Sequence, residues 1–144
     1  MYQAFKFLPL VAAVALVACG GDKSSDACGK LDAGQICVKI GHGAPRTGGI
    51  AHLGKDNENG AQLAVNEINA QGGIKVGDKV VKLALVGEDD AADPKQGPVV
   101  AQKLVDAGVV GVVGHLTSGV TIPANAVYAK AGMAQISPSS TNPD

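Results

Sequence analysis

Between Gly49 and Asp56 the chain reads Gly-Ile-Ala-His-Leu-Gly-Lys-Asp, one letter from a phosphate-binding loop. That loop has the pattern G-x-x-x-x-G-K-[ST]: its amides cradle phosphates, the lysine neutralises them and the hydroxyl holds magnesium. Here Asp56 replaces the hydroxyl, and Ile50, Ala51, His52 and Leu53 are branched or apolar where close backbone approach favours glycine. The preceding strand is expected to end near His42, so Gly49 comes too late for a turn that should follow it directly. These residues argue for a strand-to-helix connection bent by Gly48, Gly49 and Gly54, with Asp56 capping the helix and Ile50 to Leu53 forming an apolar rim. A nucleotide-binding enzyme using Lys55 is the alternative this stretch leaves open.

The other chemical candidates divide in the same way. Gly41-His-Gly43 begins a dinucleotide fingerprint, but Arg46 stands at the third glycine and Pro45 interrupts the turn. The acidic run Glu88 to Asp93 could be a cation site or a phosphoacceptor pocket. Its plainer reading makes Asp93 a helix cap and leaves Asp89 and Asp90 in a loop facing water. His42, His52 and His115 form no i,i+4 pair and no ordered triad with Ser and Asp; one of them is a candidate to line a cleft. Two hydroxyl-rich stretches carry more information. Gly114 to Thr121 contains Thr117, Ser118 and Thr121, and opens a helix whose free N–H groups favour an anion. Ser137 to Thr141 adds four more hydroxyls. A neutral, hydroxyl-lined pocket beside a helix N-terminus suits a small carboxylate better than a polyphosphate.

The elements that must position these residues alternate. Ile36 to His42 reads as a strand, Asn57 to Ala70 as a helix with Ala61, Ala64, Val65 and Ile68 on one face, and Gly72-Gly73 as its stop. Asp78 to Gly87 is a second strand. Asp93-Pro94 starts a helix running to about Ala107. Val109 to Val113 is a short apolar strand, Ser118 to about Ala131 a third helix with Pro123 near its start, and Met133 to Ser137 a fourth strand. This alternation predicts an α/β fold with a parallel, doubly wound sheet, its ligand beyond the carboxyl ends of the strands. Gly43 to Lys55, Gly114 to Thr121 and Ser137 to Asn142 are then the site segments. Aromatics make up only 3% of residues, so Val, Ala, Ile and Leu must build the core.

The first residues are expected to lie outside that fold. Lys6 precedes the apolar run Leu8 to Ala18, which is too short for a permanent membrane span and reads as the signal peptide, residues 1–18. Leu16-Val-Ala-Cys19 resembles a bacterial lipobox, which implies lipidation of Cys19 and, over residues 19–35, a Gly/Ser/Asp tether. Acyl chains at about 0.8 kcal/mol per buried methylene would supply the anchor. Twelve Lys and Arg face 13 Asp and Glu, and the leader removes Lys6 from the basic side, a balance that does not suggest a nucleic-acid partner. Cys28 and Cys37 remain as a pair. Export would place them where a disulfide persists, and neither a second Cys pair nor a suitably spaced His supports a metal site.

Val38 to Gly49, Gly60 to Gly73, Asp89 to Gln96, Gly114 to Ser118 and Ile136 to Pro143 together resemble the leucine/isoleucine/valine-binding proteins. These are type I periplasmic substrate-binding proteins of branched-chain amino acid ABC transporters. The resemblance covers the chain from about Val38 to its end, and implies that residues 36–144 are the N-terminal part of the leucine-binding-type domain, with the second lobe absent. It implies an extracytoplasmic receptor without cofactor or catalysis, which binds an amino acid and delivers it to a permease in the inner membrane. By motif, it implies that Ser118 binds the carboxylate, Ser139 offers a carbonyl to the ammonium and Thr141 adds a polar contact, with Thr117 beside them. Leu53 falls where the family often has an aromatic over the ligand side chain. Some members bridge two cysteines at the positions of Ala92 and Thr117. The resemblance also accommodates a ligand-sensing regulator on the same fold.

Overall fold

The computed structural model describes residues 26–143; the expected signal peptide, Cys19 and much of the tether lie outside them. A short 3-10 turn, Asp26–Cys28, leads to β1 (Gln35–Ala44), α1 (Ala51–Ala70), β2 (Ile74–Val76) and β3 (Lys79–Asp89). There follow α2 (Gln96–Asp106), β4 (Gly111–Gly114), α3 (Ser118–Lys130) and β5 (Ala134–Ile136). The sheet order is β2-β3-β1-β4-β5. β1 pairs in parallel with both β3 and β4, and β4 with β5, while β2 runs antiparallel to β3.

The core forms on both faces of the sheet, as wholly apolar strands require. On one face Val100, Ala101 and Leu104 of α2 and Ala124 and Tyr128 of α3 pack with Val109 and Val112. On the other, Val65 of α1 packs with Val81 and Leu83 of β3, flanked by Val38, Ile40 and Ile68. Full burial of a Leu104-sized side chain stabilises by about 1.5–3 kcal/mol. Among the described residues Tyr128 is the largest fully buried side chain, and the one aromatic in a hydrophobic core otherwise built from aliphatics. Cys28 and Cys37 are disulfide-bonded with their Cα atoms 5.7 Å apart, tying the 3-10 turn to the start of β1.

Three expectations change. The sheet has a fifth strand, β2, which doubles back on β3 through a two-residue turn at Gly77 and Asp78, so the sheet is mixed rather than all parallel. The first helix starts at Ala51, six residues before Asn57, and Asp56 lies inside it rather than at its cap; Ile50 holds the cap position without a side-chain hydrogen bond. Gly54 is therefore helical. An added Cβ there would lie 1.9 Å from the carbonyl oxygen of Pro45, so its missing side chain is what lets α1 press onto the end of β1. Asp93 acts one turn before α2, whose cap position is Lys95. Its carboxylate accepts the Lys95 amide at 2.9 Å and its carbonyl accepts Gln96 N–H at 2.9 Å.

Candidate functional site

The connections leaving β1, β3, β4 and β5 gather at the carboxyl ends of the parallel strands. The β1–α1 connection is fastened to the end of β3. Asp89 accepts the Arg46 amide and the Thr47 hydroxyl, each at 2.7 Å. The Arg46 guanidinium pairs with Glu58 of α1 and donates to the Gly87 carbonyl at 3.1 Å. Lys55 Nζ lies 3.2 Å from the same Glu58 carboxylate. Burial alone would raise the Glu58 pKa, but hydrogen bonds from Arg46 and Lys55 outweigh it and hold the carboxyl below its ordinary value. For Asp89 too, desolvation is outweighed, here by hydrogen bonds from Thr47, Arg46 and Ala91. The lysine of the near-P-loop is thus engaged by a carboxylate within its own helix.

The two hydroxyl loops are laced together. Ser118, the first residue of α3, accepts the amides of Thr141 and Asn142 on its Oγ, both at 3.2 Å. Ser139 Oγ donates to the Leu116 carbonyl at 2.6 Å. Ser137 Oγ donates to the His115 carbonyl at 2.7 Å and accepts the Ser140 amide at 2.9 Å. Thr121 Oγ1 lies 2.6 Å from Ser140 Oγ and donates to the Thr117 carbonyl at 2.9 Å. Ser118, Ser139 and Thr141 are therefore brought together, with Thr117 at the N-cap of α3 in an extended conformation. Leu53 is carried by a different element, the first turn of α1, and is 46% exposed. A concavity of about 450 Å³ adjoins the hydroxyl junction, lined by Thr121, Asn125, Gln135, Ser137 and Asn142 among others. A groove of about 510 Å³ between α2 and α3 includes Lys130 at the other end of α3, away from these loops.

One expectation about a charged group fails here. Asp90 does not face water: it is fully buried, and its Oδ2 sits 2.6 Å from His115 Nδ1. His115 is also fully buried, and its Nε2 lies 3.1 Å from the Tyr128 hydroxyl. This Asp-His-Tyr row runs from the end of β3 to that of β4, across β1. It crosses at Gly43, where a Cβ would come within 2.5–2.9 Å of three ring atoms of His115. The trace left in the sequence is a glycine on the middle strand, between polar residues that follow its two neighbours. His42, one residue earlier on β1, is buried on the α1 side and meets the Val113 carbonyl through Nδ1 at 2.8 Å. Burial lowers its pKa, against the opposing pull of that hydrogen bond and of Glu58. His52 is exposed on α1.

Comparison with known proteins gives a consistent set of neighbours. The family model described as periplasmic binding protein matches residues 37–144. Leu/Ile/Val-binding protein homolog 2 of Brucella abortus (strain 2308) is 44% identical over 129 residues, covering 90% of this chain and 31% of the relative. The branched-chain amino acid transporter substrate binding protein LivJ from Streptococcus pneumoniae, solved in complex with isoleucine, is 39% identical. It superposes with a TM-score of 0.68 over 75% of this chain and 30% of its own. An ABC transporter substrate-binding protein from Desulfitobacterium hafniense, in complex with Leu, is 41% identical with a TM-score of 0.63, over 76% of this chain and 30% of that one. The chain thus spans about a third of the length of the relatives it matches. Its fold is that of the N-terminal lobe of a type I periplasmic binding protein.

Proposed function

Because the chain belongs to the periplasmic binding protein family, we propose that it supplies the first-lobe grip of an amino-acid receptor that serves an ABC importer, with branched-chain amino acids as its substrates. The observation that carries this reading is the junction at the N-terminus of α3, where the Ser118 hydroxyl meets the Thr141 and Asn142 amides beside Ser139. Helix N-termini and hydroxyls favour a carboxylate, and they do so without a formal positive charge that would also attract polyphosphates. In this reading Ser118 and Thr117 receive the α-carboxylate, Ser139 and Thr141 orient the α-ammonium, and Leu53 borders the aliphatic side chain.

Binding is the protein's task, and no chemical step is required of it. Geometry fixes which end of the ligand faces the hydroxyl loops, and closure of a second lobe would exclude water and strengthen each polar contact. The half-site on this chain alone is expected to bind weakly. Delivery to a permease in the inner membrane, a periplasmic location and attachment through a lipidated Cys19 belong to the same proposal.

Titration calorimetry with leucine, isoleucine and valine, on this chain and on the chain joined to a second lobe, tests the reading. Heat with an amino acid, weakened roughly 10- to 100-fold by Ser118→Ala, is the expected result, since a hydrogen bond to a charged group contributes about 1.5–3 kcal/mol. Binding of a nucleotide or sugar, with no amino acid bound, would refute it. Labelling of cells with radioactive palmitate, lost in Cys19→Ala, checks the anchor.

A further inference from the structure

We propose that His115 is a positioning residue for the hydroxyl loops: held between Asp90 and Tyr128 with its proton on Nδ1, it aims its backbone carbonyl at Thr121, Ser137 and Ser140 and so sets where Ser139 and Thr141 stand. The consequence for ligand rests on the amino-acid-binding reading; the linkage itself does not.

The argument begins with burial. Asp90, His115 and Tyr128 all have zero exposure, so each polar atom in the row needs a partner inside the protein. Asp90 Oδ1 accepts the Ala92 amide at 2.9 Å, which leaves Oδ2 to accept from His115 at 2.6 Å. Were Nδ1 unprotonated, its lone pair would face a carboxylate oxygen at that distance, two acceptors in contact. Burial and the charge of Asp90 both raise the Tyr128 pKa, so its O–H stays intact and must be placed. The Nε2 lone pair, 3.1 Å away, is the acceptor that completes the row. The protons therefore run one way: Tyr128 O–H to Nε2, and Nδ1–H to Asp90.

The ring is also sterically held, since it fills the space that a side chain at position 43 would need. With the ring fixed from β1, the β3–α2 loop and α3, the main chain of His115 has little freedom. Its carbonyl accepts the Ser137 hydroxyl at 2.7 Å, and Thr121 Oγ1 and Ser140 Oγ stand around it at 3.2 Å and 3.4 Å. Two of these hydroxyls belong to the loop that carries Ser139 and Thr141, and the third lies in the first turn of α3. One carbonyl thus registers the last loop against the helix whose N-terminus forms the site.

The test uses NMR on the ligand-free chain with 15N-labelled histidine. The expected signature at neutral pH is a protonated, pyrrole-type Nδ1 and a pyridine-type Nε2 for His115; an Nε2–H tautomer or an imidazolium would overturn the assignment. Tyr128→Phe keeps the ring volume and removes the O–H. It should move the amide resonances of Ser140, Thr141 and Asn142 while leaving those of β2 and the middle of α1 in place. Ser137→Ala, which spares the buried row, should move the same three amides and serves if the first variant does not fold. Unchanged loop amides in either folded variant would overturn the positioning role. In a protein that binds leucine, Tyr128→Phe should weaken affinity about tenfold, and unchanged affinity would also overturn the role. If the parent protein binds no amino acid, the functional reading fails while the NMR results still decide the linkage.

Discussion

Substituting Gly54 and Gly60 by alanine, one at a time, sets two opposing effects against each other within one helix. Both glycines lie in α1, and in a helix interior Gly→Ala ordinarily stabilises by about 0.5–1 kcal/mol, because the unfolded chain loses freedom. At Gly60 an added Cβ meets nothing within 4 Å, so that gain should appear in full. At Gly54 the new carbon would sit 1.9 Å from the Pro45 carbonyl oxygen and 2.7 Å from its carbon. Those are main-chain atoms that cannot rotate aside, so α1 and the β1 end must part by roughly 1 Å or more to restore ordinary contact. Overpacking of this kind costs about 1–3 kcal/mol or more, which exceeds the propensity gain. We expect Gly60→Ala to raise the melting temperature and Gly54→Ala to lower it, with each kcal/mol worth roughly 4–8 °C in a domain of this size. Thermal and urea unfolding followed by circular dichroism would measure both. A Gly54→Ala protein as stable as its parent would refute the close-packing argument, and with it the account of how the turn bearing Leu53 is held.

Three further outcomes are expected. His42 has a folded pKa below its ordinary 6.5, so the unfolded chain takes up the proton first as pH falls. Its contribution is complete above that value and is lost progressively below it, by up to about 1.4 kcal/mol per pH unit. His42→Phe should flatten the fall in urea midpoint between pH 6.5 and 5, and an unaltered slope would count against the burial argument. The side chain of Asn69 bridges both backbone groups of Leu83, donating to its carbonyl at 2.7 Å and accepting its amide at 2.8 Å. Asn69→Asp keeps the shape but loses the donor; destabilisation of about 1–3 kcal/mol is expected by urea unfolding, and none would show that the backbone of β3 at Leu83 is satisfied otherwise. Replacing Cys28 and Cys37 together by serine should cost about 2–3 kcal/mol for so short a loop, in the same assay; no change would place the stability elsewhere.

The extent to which the sequence was readable varied with the range of the interactions. The alternation of apolar strands and amphipathic helices gave the α/β architecture and the order of four strands, because periodicity is local and each segment carries it unaided. Strand β2 was missed, although the Gly77-Asp78 pair between Val76 and Lys79 is a hairpin signal; three exposed residues offer no apolar alternation to read. The start of α1 was misjudged because Gly48, Gly49 and Gly54 look alike as letters. Of the three, Gly54 alone has a carbonyl pressed closer than an added Cβ would tolerate, and that carbonyl belongs to Pro45, outside the helix. Asp90 was misread for a related reason: its partner His115 lies 25 residues onward, and nothing local marks a carboxylate as buried.

By itself, then, the sequence determined the layering of the fold and the placing of the two hydroxyl loops at one end of the sheet. Both follow from residue type and spacing along the chain. The tertiary structure decided which hydroxyls meet, and how: Ser118 with the amides of Thr141 and Asn142, Ser137 and Ser140 on the His115 carbonyl, Lys55 on Glu58 rather than free for a phosphate. Those pairings join residues on different strands and loops, and they depend on which strands become neighbours. Local propensity carries no information about that, since it arises only when β1 is inserted between β3 and β4 and brings Asp90 and His115 together over Gly43.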